Sequence, residues 1–591
     1  MDSDKQLQLE QKRHTLAHLL AAAVLVDYPH ALLTLGPAID NGFYYDIDFS
    51  AGDTPGENDL KKIQKTMKKT LNGWKEFSHR QVSADEARET FAGNQFKLEL
   101  INEIEAKGET ITLYTVGEGK NEFTDLCRGG HTEHPSEEIS ADSFKLDKIA
   151  GAYWRGDEKN PMLTRIYGLA FDSKEELEAY EQMMEEAKKR DHRKIGQEQE
   201  LFFIDEMVGK GLVMWLPKGN LIKSEIEKYA IESEAKAGYD RVSTPHIAKE
   251  ELFLTSGHLP YYEEDMYPSM EMDDGKYYLR AMNCPHHHRI FTHKPKSYRE
   301  FPIRLAEYGT VYRNERSGTL AGLLRVRGLD MNDAHIYCRK DQIKDEFKAV
   351  MELTMEYFST FGLTDYWFRL SKWDPERKEK YFDEPESWKY TEGVIREVLV
   401  EMDVKFEEVE DEAAFYGPKV DVQFKSVVGR EESMSTIQLD FIAKERFGFS
   451  YIDKDGEKNN EVFVIHRAPL STHERFMAFL IEHYSGAFPL WLAPTQITII
   501  PVAEAHSEYA QSVAASLKEA GLRVEFDTNN ESMGKKIRSA KKNKLPYFIV
   551  IGDKEVENQT ITLETRGVEG NEEMGVTDLT TKLLTEISEK A

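Results

Sequence analysis

The stretch VYRNERSG, residues 311–318, decides how the largest part of this chain is interpreted. It places Arg313 and Glu315 directly after strand-like apolar residues, and THERF, residues 472–476, places Arg475 at the start of an amphipathic helical pattern. Arginine stays charged at every working pH and can grip phosphate or carboxylate with two parallel hydrogen bonds. The chain contains neither a Walker loop nor a G-x-G-x-x-G motif. Any bound nucleotide must therefore be held by side chains such as these.

Length and composition set the outer limits. The chain has 591 residues, of which 40% are hydrophobic and 31% charged, and its net charge is −29. This length exceeds one hydrophobic core and predicts three or four domains. No stretch resembles a membrane span or a secretory signal, so we expect no membrane partner. Three cysteines are too few for a disulfide framework and indicate the reducing cytoplasm.

Changes of pattern divide the chain into four predicted segments. Residues 1–170 mix helix-like and strand-like runs. Residues 171–196 predict a connecting helix, because an S-x-x-E capping box precedes apolar residues at helical spacing. Residues 197–494 form the largest block and are rich in strand-like runs. Residues 495–591 alternate between strand and helix patterns, which predicts a small α/β domain with a mostly parallel sheet.

The middle block contains an unusual run, AMNCPHHHRIF, at residues 281–291. Cys284 and His287 have metal-like spacing, but three adjacent histidines cannot all point one way, so most of the run is expected to be surface or hydrogen-bonded structure. His335 and His466 lie at strand-like positions beside apolar residues, where a lone histidine is more often a core residue than a ligand. Spacing alone does not join these residues into one site.

Two further pairs with one spacing lie in the N-terminal segment: His14 with His18, and Cys127 with His131. Side chains four residues apart share one face of a helix, so His14 and His18 can converge on one point. Each pair alone is more often ordinary packing or surface, and for two matching pairs in one domain a site is the equal alternative. Four nitrogen and sulfur ligands would saturate a structural zinc, whereas polar neighbours such as Lys97 and Asp125 would suit hydrolysis. The residues leave both alternatives open.

A basic run, KKIRSAKKNK at residues 535–544, stands out in this acidic chain. On a helix its charges would form a stripe that faces phosphate, and a solvated surface is the equal alternative. The basic residues assigned to this stripe are Lys535, Lys536, Arg538, Lys541 and Lys542.

Together these strings resemble the class II aminoacyl-tRNA synthetases and, within them, the threonyl-tRNA synthetase family. GYDRVSTPHI (238–247) looks like motif 1, which builds a dimer interface, YRNE like motif 2 and THERF like motif 3. The strings AIDNGFYYD, AGAYWRGD, KRDHRKIG, NDAHI and IHRA extend the resemblance over nearly the whole chain. It implies an α+β multidomain protein with an antiparallel-sheet catalytic core, an N-terminal α+β editing domain and a C-terminal α/β anticodon-binding domain.

The resemblance also implies an activity. We expect ATP-dependent ligation of L-threonine to tRNA(Thr) through a threonyl-adenylate, by a cytoplasmic homodimer that uses Mg²⁺ with ATP. By this resemblance Arg313 holds the α-phosphate and the amino-acid carboxylate. Arg475 holds the γ-phosphate, and Glu315 lies on the adenine side.

A zinc site for the amino acid is implied as well. By resemblance its ligands are Cys284, His335 and His466, with one Zn²⁺ per subunit and an open coordination position for the amine and hydroxyl of threonine. The remaining pocket positions that match the family are Asp333, Tyr416, Lys419 and Gln438. Asp333 would accept the hydrogen bond of the substrate hydroxyl.

A second, hydrolytic site is also expected, because the zinc site cannot fully distinguish serine from threonine. A site that requires the hydroxyl can reject valine by ~10⁴-fold or more, but serine keeps amine and hydroxyl, and one methyl group is worth only ~1–3 kcal/mol. The residues that match the family's editing positions for Ser-tRNA(Thr) are His14, His18, Lys97, Asp125, Cys127 and His131. The related alanyl enzyme binds metal with this pattern, and we expect a metal-independent site here.

The chain departs from the family at several positions. Met331 stands where the family usually has glutamine, and its thioether cannot replace a polar contact. Ser435 and Ser471 stand where the family has glycine. The chain begins almost at HTLAH, so the small ubiquitin-like domain that usually precedes editing is expected to be missing.

In the C-terminal segment, Glu555 is in register with the family's anticodon reader. Glu564 replaces an arginine that reads an anticodon base, and Arg566 follows two positions later. These departures motivate one alternative, a catalytically weakened paralogue that binds tRNA or a regulatory RNA. A metallohydrolase built on the N-terminal residues is another, but it leaves most of the chain unexplained.

Overall fold

The computed structural model describes residues 2–426, 429, 431–529 and 531–591. The chain forms two compact units, Met1–Glu185 and Glu186–Ala591. None of the helices within the described ranges combines the length and the apolar character needed to cross a bilayer.

The first unit is built on one long helix, Asp2–Asp27, whose apolar run between residues 16 and 24 is fully buried. A five-stranded antiparallel sheet contains Leu32–Leu33, Ala38–Ile39, Gly42–Asp48, Phe144–Tyr153 and Met162–Ala170. A three-stranded antiparallel sheet contains Phe77–Val82, Ile111–Val116 and Phe123–Leu126. Further helices are Leu60–Leu71, Ala84–Thr90, Gln95–Ala106 and Pro135–Glu138. The predicted α+β character is confirmed.

The predicted connecting helix exists and spans Lys174–Arg190. Ser173 Oγ accepts a hydrogen bond from the Glu176 amide at 3.1 Å, which satisfies one of the free donors at the helix start. Leu177 and Ala187 are buried. A second helix, His192–Glu198, follows directly in the chain.

An eight-stranded sheet, here called the main sheet, organises the second unit. In spatial order its strands are Asp240–Arg241, Ile303–Tyr312, Gly328–Arg339, Val462–Arg467, Glu431–Asp440, Lys419–Lys425, Tyr366–Ser371 and Phe406–Val409. Only the two edge pairs are parallel, so the expected antiparallel sheet is confirmed. The helices Pro217–Lys236, Ile343–Thr360, Pro385–Glu401 and His473–His483 contribute to the largest hydrophobic core with the sheet.

Smaller elements surround the main sheet. They are the hairpin of Phe202–Ile204 and Val213–Trp215, the sheet of Ile247–Lys249, Gly275–Leu279 and Met270–Met272, the pair Tyr451–Ile452 and Lys458–Asn459, and the helices Glu250–Ser256, His258–Tyr261, Cys284–Thr292 and Ala443–Phe447.

The C-terminal part alternates as predicted but its sheet is mixed. The strand order is Val524–Phe526, Ile497–Pro501, Tyr547–Ile551, Ile561–Thr565 and Asn571–Met574, with helices Ser507–Glu519, Met533–Lys542, Asp553–Asn558 and Val576–Glu589. The first two pairings are parallel and the last two antiparallel, so the prediction of a mostly parallel sheet is wrong. Only residues 552–560 separate the third strand in chain order from the fourth, which is too short for a parallel crossover.

Candidate functional site

A cavity with polar lining residues lies against one face of the main sheet. Along Gly328–Arg339, Ala334 and Ile336 point into the hydrophobic core. Their neighbours Asp333 and His335 point to the opposite face, because successive side chains of a strand alternate. The face that the core does not use thus carries polar side chains.

This cavity has a volume of about 500 Å³. The predicted residues that line it are Arg313, Glu315, Arg475, Cys284, His335, His466, Asp333, Tyr416 and Gln438. Lys419 is not among the lining residues. Its ammonium lies 2.8 Å from the carboxylate of Asp421, and Asp421 does line the cavity. Asp421 and Arg325 also line the cavity and were not identified from the sequence, because no local motif marks them.

Three residues from three elements form the group that we call the core cluster: Cys284, His335 and His466. Cys284 is the first residue of its helix, while His335 and His466 lie directly opposite each other on neighbouring antiparallel strands. The potential ligand atoms of the three all lie within 4.8 Å of one another. Strand register therefore joins residues that sequence spacing left separate.

The histidines of the core cluster are each held by a second contact. His335 Nδ1 lies 2.8 Å from His287 Nδ1, and the far side of His287 lies 3.1 Å from the Glu307 carboxylate. His466 Nε2 lies 3.1 Å from Asp440 Oδ2. One ring nitrogen of each histidine is thus engaged, and the other remains available as a metal ligand. This donor set fits Zn²⁺, whose histidine ligands commonly use such outer partners.

The histidine run is buried structure. His286, His287 and His288 are all buried, and His288 Nδ1 lies 2.9 Å from the Tyr337 hydroxyl. The expectation that most of the run is hydrogen-bonded structure is confirmed for His287 and His288. His287 contacts His335 and is not itself in the core cluster.

Burial governs the charges in this cavity. It raises the pKa of the Cys284 thiol and of Asp333, and it lowers the pKa of His335. Burial also lowers the pKa of Arg475, and the nearby charge of Arg313 lowers it further. Two guanidinium groups that disfavour each other in this way form a ready site for a polyanion.

The N-terminal unit contains a second group, here called the N-terminal cluster: His14, His18, Cys127 and His131. His14 and His18 share a helix, as their spacing predicts. Cys127 and His131 do not, since they lie in a loop that turns at Gly129 and Gly130 with φ of 96° and 81°. This loop places Cys127 Sγ 3.6 Å from His14 Nε2 and 3.2 Å from His131 Nε2.

A buried charged group adjoins this cluster. Lys97 Nζ lies 2.5 Å from Asp125 Oδ1, and the Tyr45 hydroxyl donates to Asp125 Oδ2 at 2.6 Å. Asp125 Oδ2 also lies 3.9 Å from His18 Nδ1. The associated cavity measures about 610 Å³, and its lining contains every predicted editing residue except His131, whose ring stacks on Phe77.

Burial keeps the N-terminal cluster neutral. It raises the pKa of Cys127 to about 11 and, together with His18 and His14, lowers the pKa of His131 to about 2. It also lowers the pKa values of His14 and His18. At neutral pH the cluster therefore presents a thiol and three uncharged imidazoles, which can accept hydrogen bonds from a water.

The basic run forms the helix Met533–Lys542, but its charges are not one free stripe. Lys535 lies 2.5 Å from Glu531, and Lys541 lies 3.3 Å from Glu564. Lys536 is buried 3.6 Å from Asp527 and is therefore removed from the predicted surface. Arg538 and Lys542 are exposed.

Two predicted anticodon contacts serve the protein's own structure. Glu555 accepts hydrogen bonds from the Gly552 amide at 2.8 Å and from the Thr562 hydroxyl at 2.6 Å, which caps the helix Asp553–Asn558. Arg566 donates to the carbonyls of Lys544 and Phe488 at 2.6 and 2.8 Å. Two of its guanidinium donors are thus engaged within the protein, and its assignment as an RNA contact stays a prediction.

Comparison with known proteins places this geometry in a family. Residues 267–484 match the tRNA synthetase class II core domain (G, H, P, S and T), and residues 496–586 match the anticodon binding domain. The threonine–tRNA ligase of Staphylococcus carnosus is 49% identical over 581 residues, which cover 98% of this chain and 88% of that protein. The enzyme of Geobacillus kaustophilus is 48% identical over 585 residues, with the same two coverages. The chain belongs to the threonine–tRNA ligase family.

Solved structures agree with this assignment. A structure titled as the RNA binding domain of threonyl-tRNA synthetase from Cryptosporidium parvum has a TM-score of 0.63 at 33% identity and covers 67% of this chain and 98% of that one. Prolyl-tRNA synthetase of Giardia lamblia, at 16% identity and a TM-score of 0.53, covers 70% of this chain and 80% of that one and shares the fold. The antiparallel main sheet is thus the class II synthetase core of a threonine–tRNA ligase family member.

Proposed function

We propose that this chain ligates L-threonine to tRNA(Thr) with ATP through a threonyl-adenylate, and hydrolyses mischarged Ser-tRNA(Thr) at a second site. Its relatives carry the name threonine–tRNA ligase. The observation that carries the proposal is one cavity that combines the Arg313 and Arg475 pair with the core cluster. Such a cavity can hold a triphosphate and a small polar amino acid side by side.

The arginines act on charge. Arg313 would hold the α-phosphate and the threonine carboxylate, and Arg475 the γ-phosphate, so that both stabilise negative charge as pyrophosphate leaves. Arg475 is oriented by the carbonyl of Leu324, which accepts from its Nε at 3.3 Å. Glu315, which pairs with Arg325 at 2.8 Å, would lie beside the adenine. Mg²⁺ bound with ATP would neutralise further phosphate charge.

Selection of the amino acid would rest on the core cluster. Cys284, His335 and His466 would hold one Zn²⁺ per subunit, which when bound supplies an open coordination position for the amine and hydroxyl of threonine. Asp333 is buried, and Asn283 Nδ2 donates to its Oδ2 at 3.1 Å, so its carboxyl group is held in place to accept the substrate hydroxyl. Valine lacks that hydroxyl and would leave these groups unpaired.

Gln438 and Tyr416 would complete the pocket wall. The Tyr416 hydroxyl donates to the amide oxygen of Gln438, so each fixes the other. Lys419 would act indirectly, because its ammonium holds the Asp421 carboxylate. Met331 also lines the cavity and offers the substrate no hydrogen bond.

Editing would use the N-terminal cluster without a metal. His14 and His18 could position the attacking water by accepting its hydrogen bonds, and Lys97 could stabilise the charge that develops on the ester carbonyl. Lys97 already lowers the pKa of His18 through its charge, after burial and His14. Lys97 is itself paired with Asp125, and this pair holds the ammonium beside the cluster.

The remaining assignments follow the same proposal. The chain would act as a cytoplasmic homodimer, with editing in residues 1–170, a connecting helix in 171–196, catalysis in 197–494 and anticodon recognition in 495–591. Within the last segment, the exposed Lys535, Arg538, Lys541 and Lys542 would face tRNA phosphate.

Charging of purified tRNA(Thr) tests the ligase directly. With threonine and ATP the zinc-replete protein should form Thr-tRNA(Thr), and supplied Ser-tRNA(Thr) should be hydrolysed faster than in buffer. Failure to charge tRNA(Thr) by a folded, zinc-containing protein would overturn the ligase and favour the RNA-binding paralogue. Charging without hydrolysis of Ser-tRNA(Thr) would overturn only the editing assignment.

A further inference from the structure

His192 belongs to the signature string KRDHRKIG, yet neither the phosphate nor the zinc argument gives it a role. It is the first residue of the helix His192–Glu198 and is buried. Its two ring nitrogens contact two different parts of the catalytic core. Nδ1 lies 2.7 Å from the carboxylate of Glu482, in the motif 3 helix His473–His483, and Nε2 accepts from the backbone amide of Leu323 at 3.1 Å.

These two contacts fix the chemistry of the imidazole. A backbone N–H can only donate, so Nε2 must be the unprotonated acceptor and Nδ1 must carry the proton that goes to Glu482. The ring is therefore a neutral bridge between a carboxylate and an amide. Both polar atoms of the imidazole are used, Nδ1 for Glu482 and Nε2 for the Leu323 amide.

The amide that His192 binds lies in a tight turn. Leu324 N donates to the Ala321 carbonyl at 2.9 Å, and Ala321 pairs with Arg325 across the turn. Gly322 has φ of +55°, and a Cβ there would lie 2.2 Å from His192 Nε2. The turn thus packs directly on the imidazole, and only glycine permits this approach.

The same turn presents two groups to the cavity. The Leu324 carbonyl accepts from Arg475 Nε, and Arg325 Nε donates to the Glu315 carboxylate. We propose that His192 is a positioning residue for the ATP site, which fixes the Ala321–Arg325 turn through the Leu323 amide and thereby orients Arg475 and Glu315. The inference rests on the proposed function, because it assigns ATP to these two residues.

Two substitutions separate the halves of the bridge. In His192→Gln the side-chain amide oxygen can reach the position of Nε2 and accept from Leu323, whereas in His192→Asn the amide nitrogen mimics Nδ1 and keeps only the Glu482 contact. We measure KM for ATP, KM for threonine and kcat in threonine-dependent ATP–pyrophosphate exchange, together with the Kd of ATP without threonine. Thermal unfolding checks that each variant is folded.

The positioning role predicts an asymmetric result. His192→Asn leaves a buried amide unpaired, so KM and Kd for ATP should rise roughly tenfold or more, while His192→Gln should stay within about threefold. KM for threonine should change less than about twofold in both. Equal effects of the two variants, a larger effect of His192→Gln, or a parallel loss in KM for threonine would overturn the inference.

A second pair approaches the contact from the turn and covers the case in which changes at the buried His192 prevent folding. Gly322→Ala should raise KM and Kd for ATP, since its Cβ would displace Nε2, whereas Gly318→Ala in the same loop meets no atom within 4 Å and should not. Equal ATP constants for these two variants would contradict the positioning role. If the wild-type protein binds ATP but shows no threonine-dependent exchange, the proposed function fails while the Kd values still decide the role of His192. A wild-type protein that binds no ATP would overturn both.

Discussion

The core cluster and the N-terminal cluster are made of the same residue types but differ in what surrounds them. Both combine one cysteine with histidines, and burial raises the pKa of the thiol in each. In the core cluster, each histidine is connected to a carboxylate. His466 contacts Asp440 directly, and His335 reaches Glu307 through His287. Beside the N-terminal cluster lies a buried ion pair, in which the ammonium of Lys97 already neutralises the carboxylate of Asp125.

Residue types alone therefore do not assign a chemistry to either cluster. Carboxylate-backed imidazoles are better donors to a cation, and three donors leave one position open. A lysine beside four neutral donors instead suits the stabilisation of a negative charge on a reacting carbonyl. We therefore expect one cluster to hold Zn²⁺ for threonine and the other to hydrolyse an ester.

The largest expected effect separates the clusters by their cysteines. Cys284→Ser should lose zinc and reduce threonine-dependent pyrophosphate exchange by at least about 100-fold, because one of three ligands is lost. Cys127→Ser is the matched control and should keep one zinc per chain and full exchange. Metal analysis with exchange kinetics checks both variants. If the Cys127→Ser protein loses zinc instead, the metal belongs to the N-terminal cluster and its assignment to the core cluster is wrong.

The reciprocal change addresses hydrolysis. His14→Ala combined with His18→Ala should leave threonine exchange within about twofold and slow the hydrolysis of Ser-tRNA(Thr) by roughly 10²-fold or more, because the attacking water is no longer positioned. Deacylation of preformed Ser-tRNA(Thr) measures this directly. Clearance at the wild-type rate would mean that these histidines do not edit.

Acid should destabilise the N-terminal cluster. His131 has its pKa lowered to about 2, mainly by burial, so the unfolded state with a pKa near 6.5 binds the extra proton. Its contribution is fully present above pH 6.5 and is lost as pH falls from 6.5 toward 2, by up to about 1.4 kcal/mol per pH unit. Hydrogen exchange of peptides from residues 123–135 should report this loss. His131→Asn should show a flatter pH dependence, and an identical slope would contradict the assignment.

Charge neutralisation on the helix Met533–Lys542 should act more gently. Replacing the exposed Lys535, Arg538 and Lys542 with alanine should weaken tRNA(Thr) binding several-fold at low salt and reduce the salt slope by up to about 2–3. Lys536→Ala is the control, because this buried residue should change stability and not the slope. Filter binding at several salt concentrations measures the slope. An unchanged salt slope in the triple variant would mean that this helix is a solvated surface and does not contact tRNA phosphate.

The smallest expected effect concerns Ser471, which holds φ of 53° next to the cavity. Its carbonyl accepts from the Asn332 amide at 3.1 Å, so the backbone there is fixed in the left-handed region. Ser471→Gly should relieve strain and stabilise the protein by about 1 kcal/mol, with little change in exchange. Thermal unfolding checks this prediction. A destabilised variant would show that the serine side chain contributes more than the strain costs.

Much of the fold could be predicted from local signals. Apolar spacing and capping residues predict three of the helices. These are the connecting helix, the helix that contains His14 and His18, and the motif 3 helix. The antiparallel end of the C-terminal sheet could not be predicted. The strand Asn571–Met574 has the sequence NEEM, which shows no strand-like alternation, and it pairs with the preceding strand Ile561–Thr565.

The sites depended on long-range register that spacing does not encode. His335 and His466 meet because two strands pair at those residues, more than a hundred positions apart. The loop at Cys127 closes through positive φ at two glycines, although its spacing matched a helix. Lys536, Glu555 and Arg566 carry suitable charges for RNA, but folding turns them to internal partners. Family resemblance supplied what local patterns left open.

The central claim is that the core cluster selects the amino acid through its hydroxyl. Amino-acid-dependent ATP–pyrophosphate exchange on zinc-replete protein without tRNA, with threonine, serine and valine compared, tests it most directly. Exchange should be strongest with threonine, weaker with serine and negligible with valine. Comparable exchange with valine and threonine would contradict selection through the hydroxyl, and no exchange with any of the three would contradict activation itself.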